Sequence, residues 1–183
     1  MSIKPKILST QVVGHSRLFT LEALDLEFSN GEKRTFERCR GKLLNHGAVM
    51  VVPILNDETL VLIREYAAGV DRYELSFPKG LIDPGETVIA AANRELQEEA
   101  GFGAHDIQAL KIISTSPSYM SGKMHLVLAR NLYPQILPGD EPEPLEVIHW
   151  PLKDYASLLA REDFTGAMSI SALFLALGVL TIV

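Results

Sequence analysis

The chain has 183 residues, of which 47% are hydrophobic and 22% are charged, so it is large enough to bury a substantial globular core. Its net charge of −6 argues against a nucleic-acid partner, because phosphate contacts need a basic surface. A single cysteine, Cys39, excludes a disulfide framework and suits a reducing cytosol. The first residues lack the apolar run of a signal peptide. We therefore expect a cytoplasmic protein.

The N-terminal part shows a hairpin pattern. Residues 24–28 alternate with period two, Asn30-Gly31 is a turn signal, and residues 33–38 return as a second strand. Cys39 lies between Arg38 and Arg40, which leaves two interpretations, a thiol of lowered pKa or a half-buried strand residue. The next segment, 41–46, is typical of a linker. The predicted division is a β extension over residues 1–45 and a second domain over 46–183.

The second part mixes strands and helices. Residues 48–54 form a continuous apolar run, which predicts a strand covered on both faces. Further strands are predicted at 60–65, 73–77, 107–115, 124–131 and 146–150, and helices at 87–100, 152–161 and 168–180. Because no strict βαβ rhythm is present, the pattern predicts an α/β fold in which helices sandwich a mixed sheet.

The C-terminal segment carries no charged side chain from residue 167 to residue 183. A membrane-spanning helix needs about 20 predominantly apolar residues, and this segment is close to the lower limit. We interpret it as a buried helix that packs on the domain or on a partner subunit. Membrane association is the alternative.

The predicted helix at 87–100 places three carboxylates on one face. Glu95, Glu98 and Glu99 are three and four residues apart, a spacing at which like charges destabilise a helix. Apolar residues occupy the opposite face, and Gly101 is a natural left-handed C-terminal cap. One interpretation is that the three carboxylates form a solvated acidic face. The other is that they bind a counter-charge, for which a hard divalent cation such as Mg²⁺ is the natural choice.

This segment resembles the Nudix box of the Nudix hydrolase superfamily. All of its defined positions match, namely Gly80, Glu86, Arg94, Glu95, Leu96, Glu98, Glu99, Gly101 and Phe102. The resemblance implies an α/β/α sandwich that hydrolyses a nucleoside diphosphate linked to another group. It also implies two or more bound ions, Mg²⁺ or Mn²⁺.

The resemblance assigns roles to the box residues. Glu95 and Glu99 are implied as principal metal ligands, and Glu98 as a further ligand or water-mediated contact and a catalytic candidate. The backbone carbonyl of Lys79 is implied as another ligand. The remaining structural residues of the box orient the loop and the helix or allow a tight backbone path; they are Gly80, Gly85, Glu86, Arg94 and Gly101.

A second acidic segment, Gly139-Asp140-Glu141-Pro142-Glu143-Pro144, precedes the predicted strand at 146–150. In Nudix enzymes that cleave ADP-ribose, the general base lies on a loop at this place. The resemblance makes Glu141 the candidate base and Glu143 an additional metal ligand. The alternative is a solvated loop that prolines stiffen.

Substrate-binding candidates come from a resemblance to the ADP-ribose pyrophosphatase branch. Arg64 and Glu74 match positions of that branch, and Pro117 and Tyr119 match positions associated with ADP-ribose and with dinucleoside polyphosphates, respectively. Lys79 is open to two interpretations, a contact to a substrate phosphate or a surface lysine. The branch implies cleavage of ADP-ribose, NADH and diadenosine polyphosphates with AMP as a product. The alternatives are a catalytically silent nucleotide-sensing module and a hydrolase of another nucleoside diphosphate.

The oligomeric state is predicted to be a homodimer. An isolated hairpin is marginally stable in water, and the extension carries apolar residues that must pack on something: Leu18, Phe19, Leu24, Leu26 and Phe28. In the ADP-ribose branch the neighbouring subunit covers such an extension, which also helps to line the adenosine pocket. Packing on its own subunit is the alternative.

Overall fold

The computed structural model describes residues 3–41 and 47–180. Its contacts divide the chain into two compact units. Of the described residues, the first unit contains 3–41, Gly47 and 114–123, and the second contains 48–113 and 124–180. Most of the predicted linker at 41–46 lies outside the described residues, as do the last three residues of the uncharged C-terminal segment.

The first unit contains an antiparallel sheet of three strands, β1 (Lys6–His15), β2 (Phe19–Glu27) and β3 (Lys33–Gly41), in that order. The sequence predicted only a strand pair, so β1 is a correction. No clear alternation marked β1, because nearly all of its side chains are exposed and two register shifts interrupt its pairing with β2. The hairpin between β2 and β3 is confirmed.

One buried charge stabilises this sheet. The carboxylate of Glu22 is almost fully buried and accepts hydrogen bonds from Arg38 Nε (2.7 Å) and Arg40 Nη1 (3.5 Å). The Arg38 hydrogen bond is the main reason that the pKa of Glu22 is lowered. Cys39 is a half-buried strand residue, which confirms the second of its two interpretations.

The second unit is built on a mixed sheet, which confirms the predicted fold class. Its strands run in the order β10 (Glu146–Pro151), β5 (Thr59–Ala67), β4 (Ala48–Leu55), β9 (Lys123–Pro134) and β8 (Phe102–Ser114). β4 and β9 are parallel, whereas β5 is antiparallel to both β4 and β10.

The sheet splits between β4 and β5. β4 and β5 pair only next to their turn, at Ile54–Leu60 and Leu55–Thr59. Beyond that point β6 (Arg72–Ser76) pairs with β5, and β7 (Lys79–Leu81) pairs with β4. The chain crosses from one edge of the split to the other at Pro78, whose carbonyl accepts a hydrogen bond from Val51 N–H over 2.8 Å. The residues that open the Nudix box therefore begin at this split.

Helices cover both faces of the sheet. The α1 helix (Val88–Ala100) packs on the face that contains Val49 and Val51, and α3 (Ala167–Leu180) packs on the face that contains Met50 and Val52. This arrangement confirms the expectation that the apolar run at 48–54 is covered on both sides. Each fully buried aliphatic side chain of such a core stabilises the fold by about 1.5–3 kcal/mol.

The helix ends follow their local signals. Thr87 caps α1 by accepting a hydrogen bond from Ala90 N–H, and Gly101 ends it with φ 74°, as predicted. The helix predicted at 152–161 is shorter, because a 3₁₀ turn at Leu152–Asp154 precedes α2 (Tyr155–Leu159). Among the described residues, no helix is both long enough and apolar enough to cross a membrane.

Candidate active site

Two carboxylates of α1 are buried rather than solvated. Glu95 and Glu99 are each 7% exposed, on a helix whose other buried residues are apolar. Burial disfavours the charged form and raises the pKa of both groups, that of Glu99 to about 8. For Glu99, the charge and backbone N–H of Lys79 oppose this effect without cancelling it. A further positive charge nearby would favour the ionised form of both carboxylates, and Glu99, with a pKa of about 8, needs one to be mostly ionised at pH 7.

Arg94 organises the acidic residues around it. Its Nε and Nη2 atoms form a fork on the carboxylate of Glu86 (3.1 and 3.0 Å), and Nη2 also donates to the carbonyl of Leu81 (2.9 Å). Its Nη1 atom donates to Glu95 (2.7 Å) and to Glu98 (2.9 Å). All five N–H donors of the guanidinium are thus used. Arg94 fixes the box loop to the helix and draws together two of the three carboxylates of the helix, Glu95 and Glu98.

Gly80 lies directly against Glu95. A Cβ atom at Gly80 would be 2.1 Å from the carboxylate of Glu95, a distance at which something must shift. A residue with any side chain at position 80 would therefore displace the carboxylate. A second box glycine, Gly85, has φ 85° and meets the positive-φ requirement of the turn before α1.

Lys79 connects the box helix to the split of the sheet. Its backbone N–H donates to Glu99 Oε2 over 2.8 Å, and its ammonium group forms an ion pair with Glu65 of β5. The side chain is 27% exposed. Lys79 is therefore partnered by Glu65 rather than extended freely into solvent. Its predicted roles, a carbonyl ligand to metal and a contact to phosphate, stay predictions.

The acidic loop after β9 is fixed at both ends. Leu137 N–H donates to the carbonyl of Gln97 on α1 (3.2 Å), and the Tyr73 hydroxyl donates to Glu143 (2.5 Å). Between these anchors, the Glu141 carboxylate folds over Gly139, where a Cβ would be 2.1 Å from Glu141 Oε2. The two glutamates of the loop thus have different partners.

A cleft of about 630 Å³ brings most of the predicted site together. Glu95, Glu98 and Glu99 line one side, and the loop that contains Glu141 lines another. Glu141 also contributes to the raised pKa of Glu95 through its negative charge. Glu143, bound to Tyr73, is not among the residues that line this cleft, and its role as a metal ligand stays a prediction.

Two substrate-binding candidates have protein partners. Arg64 donates to Glu146 and to Asp163, both over 2.8 Å. Glu74 accepts from Thr165 N–H, from the Thr165 hydroxyl and from Arg72. Burial pushes the pKa of Glu74 upward, but these hydrogen bonds outweigh burial and lower it. Neither residue lines the cleft of the box carboxylates.

Pro117 and Tyr119 lie in the first compact unit. They occupy an exposed turn, in which the carbonyl of Tyr119 accepts a hydrogen bond from Cys39 N–H over 2.7 Å. Their role toward a substrate stays a prediction.

Glu65 and Tyr73 are site residues that the sequence did not predict. Glu65 neutralises Lys79 and lines the cleft, and Tyr73 fixes the acidic loop. The signal for Glu65 was a lysine next to a carboxylate cluster, which favours an acidic partner for that lysine. No signal in the sequence connects Tyr73 with Glu143, because 70 residues separate them.

The donor set fits a hard divalent cation. Glu95 and Glu99 supply oxygen atoms, which Mg²⁺ prefers, and their raised pKa values indicate that a nearby positive charge would stabilise their ionised form. Within residues 3–41 and 47–180, no three carboxylate, histidine or cysteine side chains converge as ligands of one ion. Arg94 donates to oxygens of Glu95 and Glu98, and the backbone N–H of Lys79 donates to Glu99. Binding of a cation would therefore compete with these two donors.

Such a site is suited to hydrolysis of a phosphoanhydride. Buried carboxylates that hold divalent cations allow phosphate charge to be neutralised, and a free carboxylate across the cleft can accept a proton from water. The fold and the site together define an α/β/α hydrolase whose catalytic helix carries the acidic groups.

The chain belongs to the Nudix hydrolase family, because residues 44–168 match the NUDIX domain. Residues 5–38 match the NudE-type Nudix hydrolase N-terminal domain. Members of this family generally use divalent metal ions.

Several known proteins are similar to this chain over most of its length. The ADP compounds hydrolase NudE of Escherichia coli (strain K12) is 58% identical over 94% of this chain and 91% of its own. The ADP-sugar pyrophosphatase of Mus musculus is 30% identical over 90% of this chain and 80% of its own. A crystal structure of an ADP compounds hydrolase superposes with a TM-score of 0.92 at 55% identity, covering 99% of this chain and 96% of that one.

Proposed function

We propose that this Nudix hydrolase cleaves the pyrophosphate bond of ADP-containing compounds and releases AMP. The observation that carries the proposal is the burial of Glu95 and Glu99, with raised pKa values, on the wall of a cleft that Glu141 also lines. The similarity to proteins named ADP compounds hydrolase and ADP-sugar pyrophosphatase supports the substrate class.

The metal is proposed to be Mg²⁺ or Mn²⁺, with two or more ions bound. Glu95 and Glu99 are the principal ligands, Glu98 is a further one, and Glu143 and the carbonyl of Lys79 are additional candidates. When bound, these ions neutralise phosphate oxygens, acidify water and stabilise the leaving oxygen.

Glu141 is proposed as the general base. A water oxygen attacks one phosphorus of the pyrophosphate, its proton passes to the carboxylate of Glu141, and the bridging P–O bond breaks. The hydrogen bonds at Leu137 and at Glu143 hold the loop, and with it Glu141, over the cleft. Because Glu141 is already positioned, less conformational entropy is lost when the transition state forms. Arg94 keeps Glu95 and Glu98 oriented.

A homodimer in the cytoplasm is proposed as the working form. The N-terminal sheet exposes large apolar side chains, which mark interaction surfaces when they lie together; among them are Ile7, Leu8, Val12, Val13, Leu21 and Phe36. The match of residues 5–38 to a separate N-terminal domain supports a division near residue 45. A second copy of the chain is the proposed partner of this sheet.

Release of AMP tests the function. Purified protein should release AMP from ADP-ribose, NADH or diadenosine triphosphate with Mg²⁺ present, and a chelator should abolish the release. Binding of these compounds without any AMP release would favour the nucleotide-sensing alternative. If none of these compounds is cleaved but a GDP-, UDP- or CDP-linked sugar is, with release of GMP, UMP or CMP, the substrate would be a different nucleoside diphosphate.

A further inference from the structure

A second cavity lies beside the catalytic cleft, entirely within the second unit. It measures about 340 Å³ and lies between the β5–β6 hairpin, β7 and the start of α3. Apolar atoms form most of its wall, and its apolar side chains are Met50, Ala67, Val70, Leu75 and Met168. Its volume is at the lower end of the range for ligand pockets, about 300–1,000 Å³. It can therefore take one small group rather than a whole dinucleotide.

Two buried serines at this cavity are hydrogen-bonded within the protein. Ser76 and Ser169 lie 3.3 Å apart, hydroxyl to hydroxyl, and Ser76 also donates to the carbonyl of Phe77 over 2.9 Å. Both serines are buried and line the cavity. Walls that are mostly apolar, with a few positioned polar groups, are typical of sites that bind small organic molecules.

The cavity adjoins the proposed reaction site. Glu65 and Lys79 line both this cavity and the cleft that contains Glu95 and Glu99. The Lys79–Glu65 ion pair therefore lies at the boundary between the two spaces. A substrate whose phosphates lie at the carboxylate cleft could extend an attached group past this ion pair into the cavity.

The charges at the cavity exclude a phosphate as its occupant. Its charged lining groups are Glu65, Glu74 and Lys79, and Glu65 already neutralises Lys79. Glu74 is held by Thr165 and Arg72, which favour its ionised form. The wall is thus negative or neutral, so it repels phosphate and accepts an uncharged group.

We propose that this cavity binds the uncharged heterocycle of the group attached to ADP, that is, the second base of a dinucleotide substrate. The inference rests on the proposed function, because it places the phosphates of an ADP compound at the neighbouring cleft. It makes the cavity a determinant of specificity, which matters for dinucleotides and not for an ADP-sugar that lacks a second base.

Filling the cavity from its rim tests this assignment. Val70 lies in the turn between β5 and β6 and is 55% exposed, so Val70→Trp can add bulk at the cavity without disturbing the core. The matched control is Val147→Trp, on β10, which is also exposed and is not part of the cavity wall. AMP release is measured with NADH, which has a second base, and with ADP-ribose, which has none.

For Val70→Trp we expect kcat/KM for NADH to fall at least about tenfold, equivalent to about 1.4 kcal/mol. The kcat/KM for ADP-ribose should stay within about twofold of wild type, a change of less than about 0.5 kcal/mol, because ADP-ribose has no second base to enter the cavity. Val147→Trp should change neither value. Normal turnover of ADP-ribose would also show that Val70→Trp is folded.

Three results would overturn the inference. If Val70→Trp has wild-type kcat/KM for both substrates, the cavity binds no part of either substrate. If a folded Val70→Trp loses kcat/KM equally for NADH and ADP-ribose, the cavity binds the AMP half that the two substrates share. If the wild type releases no AMP from either substrate, the proposed function fails and the inference falls with it. Should Val70→Trp not melt cooperatively, Gly166→Leu replaces it, because a Cβ at Gly166 meets only ordinary contacts of 3.6 Å and longer.

Discussion

The backbone N–H of Lys79 donates a hydrogen bond to Oε2 of Glu99 over 2.8 Å, and so ties β7 to α1. The same residue pairs with Met50 in the sheet, and its ammonium group pairs with Glu65 of β5. One residue thus joins the helix that carries the acidic groups to both strands at the split of the sheet. This connection fixes the buried carboxylate of Glu99 relative to the cleft.

Gly80→Ala should lower turnover with little effect on stability. The added Cβ would lie 2.1 Å from the Glu95 carboxylate, which is too close, so one of the two must move. The carboxylate is the end of a flexible side chain, so it moves and the backbone stays in place. We expect turnover to fall at least about tenfold, since small misplacement of a catalytic group is costly, and the melting temperature to change little. Gly69→Ala is the control, because a Cβ there meets no atom within 4 Å. Equal activity of the two variants would contradict the role of Gly80.

Glu141→Gln should reduce kcat with little change in KM. A general base contributes about 10²–10⁴ in rate, and Gln keeps the size of the side chain while removing its basicity. Glu143→Gln is the matched variant two residues away, where the carboxylate accepts from Tyr73 instead of lining the cleft. We expect the Glu143 variant to be the more active of the two. A wild-type rate for Glu141→Gln would move the base to another residue.

Asp163 should make stability depend on acid pH. Hydrogen bonds from Arg161, and then from Arg64, lower the pKa of Asp163 to about 2. Because the folded-state pKa lies below the unfolded value of about 3.9, this carboxylate stabilises the fold fully above about pH 5, and the contribution is lost as pH falls toward 2. The melting temperature of Asp163→Asn should therefore lie below that of wild type at pH 7 and approach it near pH 2.

The exposed neighbour Glu162 supplies the control for that comparison. Glu162→Gln should follow the wild-type melting curve throughout the pH range. A constant difference between Asp163→Asn and wild type from pH 7 to pH 2 would show that ionisation of Asp163 does not stabilise the fold.

The N-terminal sheet should mediate formation of a homodimer. Light scattering at micromolar concentration should give twice the 20.2 kDa mass of one chain. Val12 and Phe36 are exposed, and the strand register places them on one face of this sheet, opposite Glu22 and Leu24 of β2, so Val12→Glu with Phe36→Glu should weaken association by burying charge at the contact. A wild-type mass near that of one chain would refute the dimer.

The sequence predicted those features that depend on neighbouring residues. The cap at Gly101, the start of α1 at Thr87 and the two-sided burial of the strand at 48–54 all follow from local signals, and the structure agrees. The matched spacing of the box also indicated which carboxylates share a helix face.

Features that depend on distant contacts were not predictable in this way. The burial of Glu95 and Glu99 depends on how β7 enters the split sheet, and the partner of Lys79 lies on another strand. The position of Arg64 was also open, because Glu146 and Asp163, which hold it, come from segments far along the chain. The strand β1 was missed because exposed strands show no apolar alternation.

The most direct test of the account is the Mg²⁺ dependence of AMP release by Glu99→Gln. Gln keeps the size of Glu99 and can still accept the hydrogen bond from Lys79, but it removes the buried charge that is proposed to hold the metal. We expect kcat to fall at least about a hundredfold, the scale of losing a principal electrostatic contact, with an unchanged far-ultraviolet circular dichroism spectrum. Glu162→Gln should keep the wild-type rate. A Glu99→Gln enzyme with near-normal turnover at saturating Mg²⁺ would contradict the assignment of the metal to these buried carboxylates.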